Sequence, residues 1–169
     1  EVGTIAKVKQ IARMPDKYVR VVLEGEKRAH LLSLESTDEG YILANIQESE
    51  EEEDVWNNAD ILSNHGEPTE QLKRVAMIRQ LKQLFREYCD RQGKMGQQLQ
   101  DMVSESIDLD RIIYMITANL PIHYHLKQGI IEPDRIEDRF TELMIVMERE
   151  LGILRLQGDI SEMVKQQVE

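Results

Sequence analysis

The sequence has little cysteine and no long apolar run, and each shortage excludes a class of protein. Its 169 residues include one cysteine, Cys89, so no internal disulfide can form, which is typical of a reducing compartment. Cys89 lies in a helical pattern without a histidine within sequence reach, and we predict a buried, inert thiol. No apolar run approaches the roughly 20 residues of a membrane helix, and no signal peptide opens the chain. We therefore expect no membrane partner.

The motifs of common catalytic sites are also missing. A phosphate-binding loop needs G-x-x-x-x-G-K-[ST], but Tyr88 stands where the first glycine before Gly93-Lys94 should be, and Met95 replaces the hydroxyl residue. His123-Tyr124-His125 has no third ligand at metal spacing, and we expect it in a turn between helices. No G-x-S-x-G nucleophile motif occurs. The sequence predicts neither a nucleotide site, a metal site nor a catalyst.

Basic residues are in the minority. Net charge is −11, from 32 acidic and 21 basic residues, which argues against a nucleic-acid partner or an anionic membrane surface. The acidic run QESEEEED at 47–54 lacks the ligand spacing and glycine turn of a calcium loop, so we interpret it as a solvated linker. Since the next residues remain polar, the boundary between two subdomains is predicted within 47–68.

Residues before that linker have β-structure patterns. The chain opens on a β-rich segment without an initiator Met, so we expect it to begin inside a domain. Further strands are predicted at 18–23, 29–34 and 41–46, with a turn at Pro15-Asp16-Lys17. Gly25 interrupts the central apolar run, which is typical of a bulge or sharp bend. The pattern predicts a compact antiparallel sheet or small barrel.

Beyond the linker the apolar period changes from 2 to 3.6. One helix is predicted from an N-cap at Thr69 to Gly93, a second from Asp108, and a third from Pro133 to Val168. The predicted core comprises three apolar stripes: Met77, Ile78, Leu81, Leu84, Phe85 and Tyr88; Leu109, Ile112, Ile113, Ile116 and Leu120; and Ile136, Phe140, Leu143, Met147, Leu151 and Leu154. The third helix would be roughly 54 Å long, so we expect its far end to project.

The order of these segments is similar to that in the N-terminal domain of Lon-family ATP-dependent proteases. In the β region the resemblance rests on VGTIAKVKQI, VRVVLEGEKRAHLLSL and YILANI. In the helical region it rests on LKRVAMIRQLKQLFREYC, IDLDRIIYMITANLPI, LKQGIIEPDRIEDRFTELMIVMERELGILRLQGDI and VKQQVE. The resemblance extends over the chain apart from residues 47–68. It rests on the order and spacing of these segments rather than on a single motif.

The resemblance implies an α+β fold in three parts. These are a small PUA-like sheet or barrel at 1–46 that lacks its first strands, an acidic linker at 47–68, and a helical bundle at 69–169 that ends in the long helix 133–168. Gly25 then lets the strand bend. Arg28 is expected to be architectural, pairing with a carboxylate or with backbone carbonyls, and a ligand contact is the alternative.

The resemblance also implies a function, namely recognition of unfolded, damaged or tagged proteins and support of assembly in a cytoplasmic homohexamer. In the family, the AAA+ ATPase, with its ATP and Mg²⁺, and the Ser-Lys peptidase lie C-terminal to this region. We therefore expect no cofactor and no catalytic residue in this chain. The alternative is a stand-alone ligand- or peptide-binding adaptor, and the length of the gene downstream of Glu169 would separate the two.

Two residues at the first predicted turn are candidates for substrate contact. Met14 and Tyr18 flank Pro15-Asp16, and hairpin tips can leave apolar side chains exposed. A flexible thioether and an aromatic ring with a polar end suit varied partners. The alternative is that both side chains pack under the edge of the sheet.

Overall fold

The structure, a computed structural model, describes residues 1–50 and 70–168. The chain divides into two compact units, Glu1–Asp54 and Val55–Glu169, called here the β unit and the helical unit. The β unit contains three antiparallel strands in the order β1-β2-β3: β1 (Val2–Arg13), β2 (Val19–Ser36) and β3 (Ile42–Glu48). The helical unit contains α1 (Glu70–Gln92), α2 (Gln97–Glu105), α3 (Leu109–Asn119), α4 (Tyr124–Ile131) and α5 (Ile136–Val168). The predicted α+β class is confirmed.

Strand β2 is longer than the sequence predicts. It is one strand of 18 residues rather than two short ones. Ile5 pairs with Lys27 and Ala6 with Gly25, so Glu26 is an extra residue in a β-bulge and the strand continues through it. A Cβ on Gly25 would lie 3.2 Å from the Thr4 Cγ2 atom of the neighbouring strand. The break in the apolar run is therefore a bulge at a close approach of two strands.

The predicted end of the sheet at residue 46 is wrong by two residues. Gln47 pairs with His30 and Glu48 with Ala29, so both residues predicted to open the linker belong to β3. The Lys27 Nζ atom lies 2.7 Å from the Glu48 Oε2 atom, and this ion pair offsets the low β-propensity of glutamate. Residues 51–68 of the predicted acidic linker lie outside the described residues.

The core of the helical unit confirms the predicted apolar stripes. The residues of the three stripes are buried except Met77, Phe140 and Leu154, which are half-buried against the same cluster. Helix α3 begins at Leu109, one residue after its predicted start, and Asp108 is its N-cap, because the Asp108 Oδ1 atom accepts a hydrogen bond from the Arg111 amide at 3.1 Å. Gly93 follows α1 with φ of 70°, a conformation that glycine adopts readily at a helix end. The predicted cap Thr69 lies outside the described residues.

Two short helices were not predicted. Helices α2 and α4 have nine and eight residues and bury one side chain each, Val103 and Ile130. So few turns and contacts leave no readable apolar period. His123, expected in a turn, is the N-cap of α4, and its Nδ1 atom accepts the His125 amide at 3.4 Å.

Helix α5 begins at Ile136, three residues after the predicted start at Pro133. The carbonyls of Pro133 and Asp134 accept hydrogen bonds from the Arg139 guanidinium at 2.9 and 2.6 Å. The first backbone bond of the helix type, from the Arg139 amide, reaches the Arg135 carbonyl. The arginine side chain thus occupies acceptors that a longer helix would use for its own amides.

The far end of α5 is exposed. From Arg155 to Val168 every residue is exposed to solvent. The Arg155 Nη2 atom donates to the Glu87 Oε1 atom of α1 at 2.6 Å, which lowers the pKa of the Glu87 carboxyl. Neither these residues nor the rest of the described chain forms a helix long and apolar enough to cross a membrane.

We expect amide hydrogen exchange to be much faster at 158–168 than at 140–150. The earlier segment contains the buried Leu143, Val146 and Met147, whereas the later one buries no side chain, and local opening is easiest where few apolar contacts must break. Exchange measured by mass spectrometry after proteolysis would check this. Equal protection in both segments would contradict it.

Candidate functional site

The candidate site is the outer half of the β1–β2 hairpin. At its tip the Met14 amide donates to the Tyr18 carbonyl at 2.8 Å, and Lys17 completes the turn with φ of 65°. Met14 is 39% exposed and Tyr18 74% exposed. Among the residues that the structure describes, both side chains are thus exposed rather than buried beneath the sheet. Their role as substrate contacts stays a prediction.

An apolar stripe runs along one face of the same hairpin. It is formed by five exposed aliphatic side chains, Val8, Ile11, Val19, Val21 and Leu23. Val19, Val21 and Leu23 alternate along β2 and so share a face, while Ile11 pairs with Val21 and Val8 with Leu23. This stripe was not predicted from the sequence, although the apolar alternation of β2 indicates it.

The opposite face of the hairpin is mostly polar. Lys7 pairs in register with Glu24, and Gln10 with Val22. The Lys9 ammonium forms an ion pair with the Glu24 carboxylate. The hairpin is therefore amphipathic, and nothing in the described part of its unit covers the apolar side. Contiguous apolar surface of this kind commonly marks an interaction site.

Gly25 and Arg28 lie at the base of the hairpin, away from its tip. Arg28 is half-buried and pairs in register with Thr4. Its carbonyl accepts a hydrogen bond from the Ser49 amide at 3.0 Å, directly beyond the end of β3. The structure does not bring these two residues together with Met14 and Tyr18. Their assignment to the architecture stays a prediction.

The titratable groups of the helical unit offer no reactive centre among the residues described. Cys89 is buried, and burial raises the pKa of its thiol to about 11, so the nucleophilic thiolate is scarce near neutral pH. The rings of His123 and His125 stack with centroids 4.9 Å apart. No group of three or more potential metal ligands occurs within residues 1–50 and 70–168.

Comparison with known proteins gives consistent matches. Residues 1–149 match the family model of the ATP-dependent protease La (LON) substrate-binding domain. The Lon protease of Clostridioides difficile is 30% identical over 167 residues, and that of Buchnera aphidicola is 26% identical over 169. These two alignments cover 99% or more of this chain but only 20% of each relative. The chain thus spans about one fifth of the length of these relatives.

A solved structure has the same fold. The N-terminal domain of the Mycobacterium avium complex Lon protease superposes with a TM-score of 0.63 over 87% of this chain and 69% of that one. Its sequence identity is 18%, so this likeness concerns the fold alone. Fold and family model together define an α+β substrate-binding domain, a class that is not itself catalytic. The chain belongs to the family of the ATP-dependent protease La (LON) substrate-binding domain.

Proposed function

We propose that this chain is the recognition domain of a cytoplasmic, hexameric Lon protease and binds unfolded or damaged proteins for ATP-dependent degradation. The serine peptidase, the ATPase and its ATP and Mg²⁺ belong to the remainder of the parent protein, and the domain also supports assembly of the ring. The single observation that supports substrate contact is the exposed apolar stripe on the hairpin whose tip carries Met14 and Tyr18.

The chemistry of the stripe suits an unfolded chain. An unfolded protein differs from its folded form chiefly by exposing apolar side chains, and aliphatic side chains of the stripe can bury them without requiring a particular sequence. Met14 and Tyr18 add an adaptable and an amphipathic exposed side chain at the tip of the same hairpin. Binding by one copy is weak, because association and ordering consume most of the gain from a small patch. Several copies in a ring raise the avidity.

The stripe is tested by replacing two of its side chains. Ile11→Thr with Leu23→Thr is expected to weaken binding of an unfolded protein about tenfold, since two exposed aliphatic groups contribute about 1.4 kcal/mol together. Fluorescence anisotropy with labelled, reduced and carboxymethylated α-lactalbumin measures the affinity. We expect Met14→Ser with Tyr18→Ser to weaken binding as well, with little change in thermal stability.

The matched control lies on the opposite face. Ala12→Ser with Val22→Thr changes the same hairpin at residues that alternate with the stripe, and binding should change less than twofold. Equal losses of affinity in the stripe variant and in this control variant would show that the stripe is not part of the substrate site. Unchanged binding in the stripe variant would show the same.

A further inference from the structure

Helix α1 has a charge opposite to that of the chain. It carries six basic and three acidic side chains, whereas the whole chain has a net charge of −11. Arg79, Lys82 and Arg86 lie at positions i, i+3 and i+7 and therefore on one face of the helix, here called the basic row. Together with Gln83 they line a shallow depression of about 370 Å³.

The basic row has no acidic partner in the part of the helical unit that the structure describes. Arg79 and Arg86 are exposed and make no ion pair there. The Lys82 Nζ atom donates to the Ser104 carbonyl at the end of α2, at 2.6 Å, and partial burial lowers the pKa of this ammonium. On another side of α1, by contrast, Arg91 and Arg155 share the Glu87 carboxylate.

We propose that the basic row is a binding site for an acidic peptide segment, separate from the apolar stripe. The two guanidinium groups can each bind a carboxylate through paired hydrogen bonds. Seven helical positions separate Arg79 from Arg86, or about 10 Å along the axis. An extended peptide covers that distance with about three residues, so a run of four acidic residues reaches both arginines.

A peptide suits the depression better than a phosphate polymer. Gln83 lies between the cations and offers both a donor and an acceptor, which match the carbonyl and amide of a peptide backbone. A phosphate polymer has no backbone donor for the acceptor oxygen. A polyanion of high charge density is also repelled by the remaining surface of this acidic chain, whereas a short acidic segment is repelled less.

The probe is a fluorescein-labelled peptide with four consecutive glutamates between glycines, and the same peptide with four glutamines is its control. Arg79→Gln with Arg86→Gln, made in the whole chain, is expected to weaken binding of the acidic peptide about tenfold at low salt. Lys82 is left in place because it also caps α2. Circular dichroism on heating checks that the variant keeps its fold.

The matched control removes the same charge elsewhere on the helical unit. Arg111→Gln with Lys165→Gln replaces two exposed cations that make no ion pair within the described residues, and binding should change less than twofold. Equal losses in both variants would overturn the proposal, because net charge alone would then explain binding. Absence of peptide binding, or tighter competition by inorganic tripolyphosphate than by the unlabelled peptide, would overturn it too. Ile11→Thr with Leu23→Thr should leave acidic-peptide binding unchanged, so this test and that of the stripe fail independently.

Discussion

Replacing Arg139 with methionine is expected to lower the free energy of unfolding of the helical unit by about 3 kcal/mol. Arg139 is 7% exposed, and its Nη2 atom donates to the Asp110 Oδ1 atom of α3 at 2.9 Å. Its Nη1 atom donates hydrogen bonds to the carbonyls of Pro133 and Asp134, which precede α5. Methionine fills the volume but leaves three acceptors without this donor, so the loss is mainly electrostatic.

Urea denaturation followed by the helical circular-dichroism signal measures this loss. Arg135→Met is the matched control, since Arg135 is exposed and its Nε atom lies 3.7 Å from the Glu137 Oε2 atom, an ion pair worth less than about 0.5 kcal/mol. Asp110→Asn should have an intermediate effect, because the amide oxygen still accepts from Arg139 but carries no charge. An Arg139 variant as stable as the Arg135 variant would show that the guanidinium does not hold α3 to the start of α5.

Leu151→Ala is expected to destabilise the helical unit by about 3 kcal/mol, whereas Leu156→Ala should change its stability by less than about 0.5 kcal/mol. Both leucines lie within α5, so the change in helix propensity is the same for both. Leu151 is 0% exposed and belongs to the core, while Leu156 is 62% exposed. The difference between the two variants therefore isolates the burial of one side chain.

The same urea titration measures both leucine variants. A large loss of stability in Leu156→Ala would contradict the exposure of the far end of α5. It would mean that this segment packs against another surface in solution. A small effect of Leu151→Ala would mean that the core ends earlier along the helix.

Periodicity was a reliable guide where an element is long and buries one face. The stripes of α1, α3 and α5 were predicted residue by residue, because a helix with one buried face and one solvent-exposed face must repeat its apolar residues about every 3.6 positions. The predicted start of α5 was wrong because the Arg139 guanidinium binds the carbonyls of Pro133 and Asp134. It is also bonded to Asp110, which lies 29 residues earlier in the sequence. No pattern of neighbouring residues reports such a contact.

The candidate site was anticipated only at its tip. Met14 and Tyr18 were chosen from turn chemistry, which is local. The stripe needs the register of two strands, and each bulge shifts that register by one residue and so changes which side chains face each other. The spacing of the basic row can be read along α1, but only the positions of the other helices show that Arg79 and Arg86 make no ion pair within the described helical unit.

By itself the sequence determined the family resemblance, the α+β class and the apolar faces of the long helices, because these depend on residue order and on periods of 2 and 3.6. Tertiary structure alone decided that Glu26 forms a bulge, that α5 begins after the acceptors of Arg139, and that five aliphatic side chains line one face of the hairpin. The physical reason is the distance in sequence over which the interactions act. Periodicity can be recognised within a short stretch of neighbouring residues, whereas strand register, ion pairing and burial depend on residues that are distant in sequence.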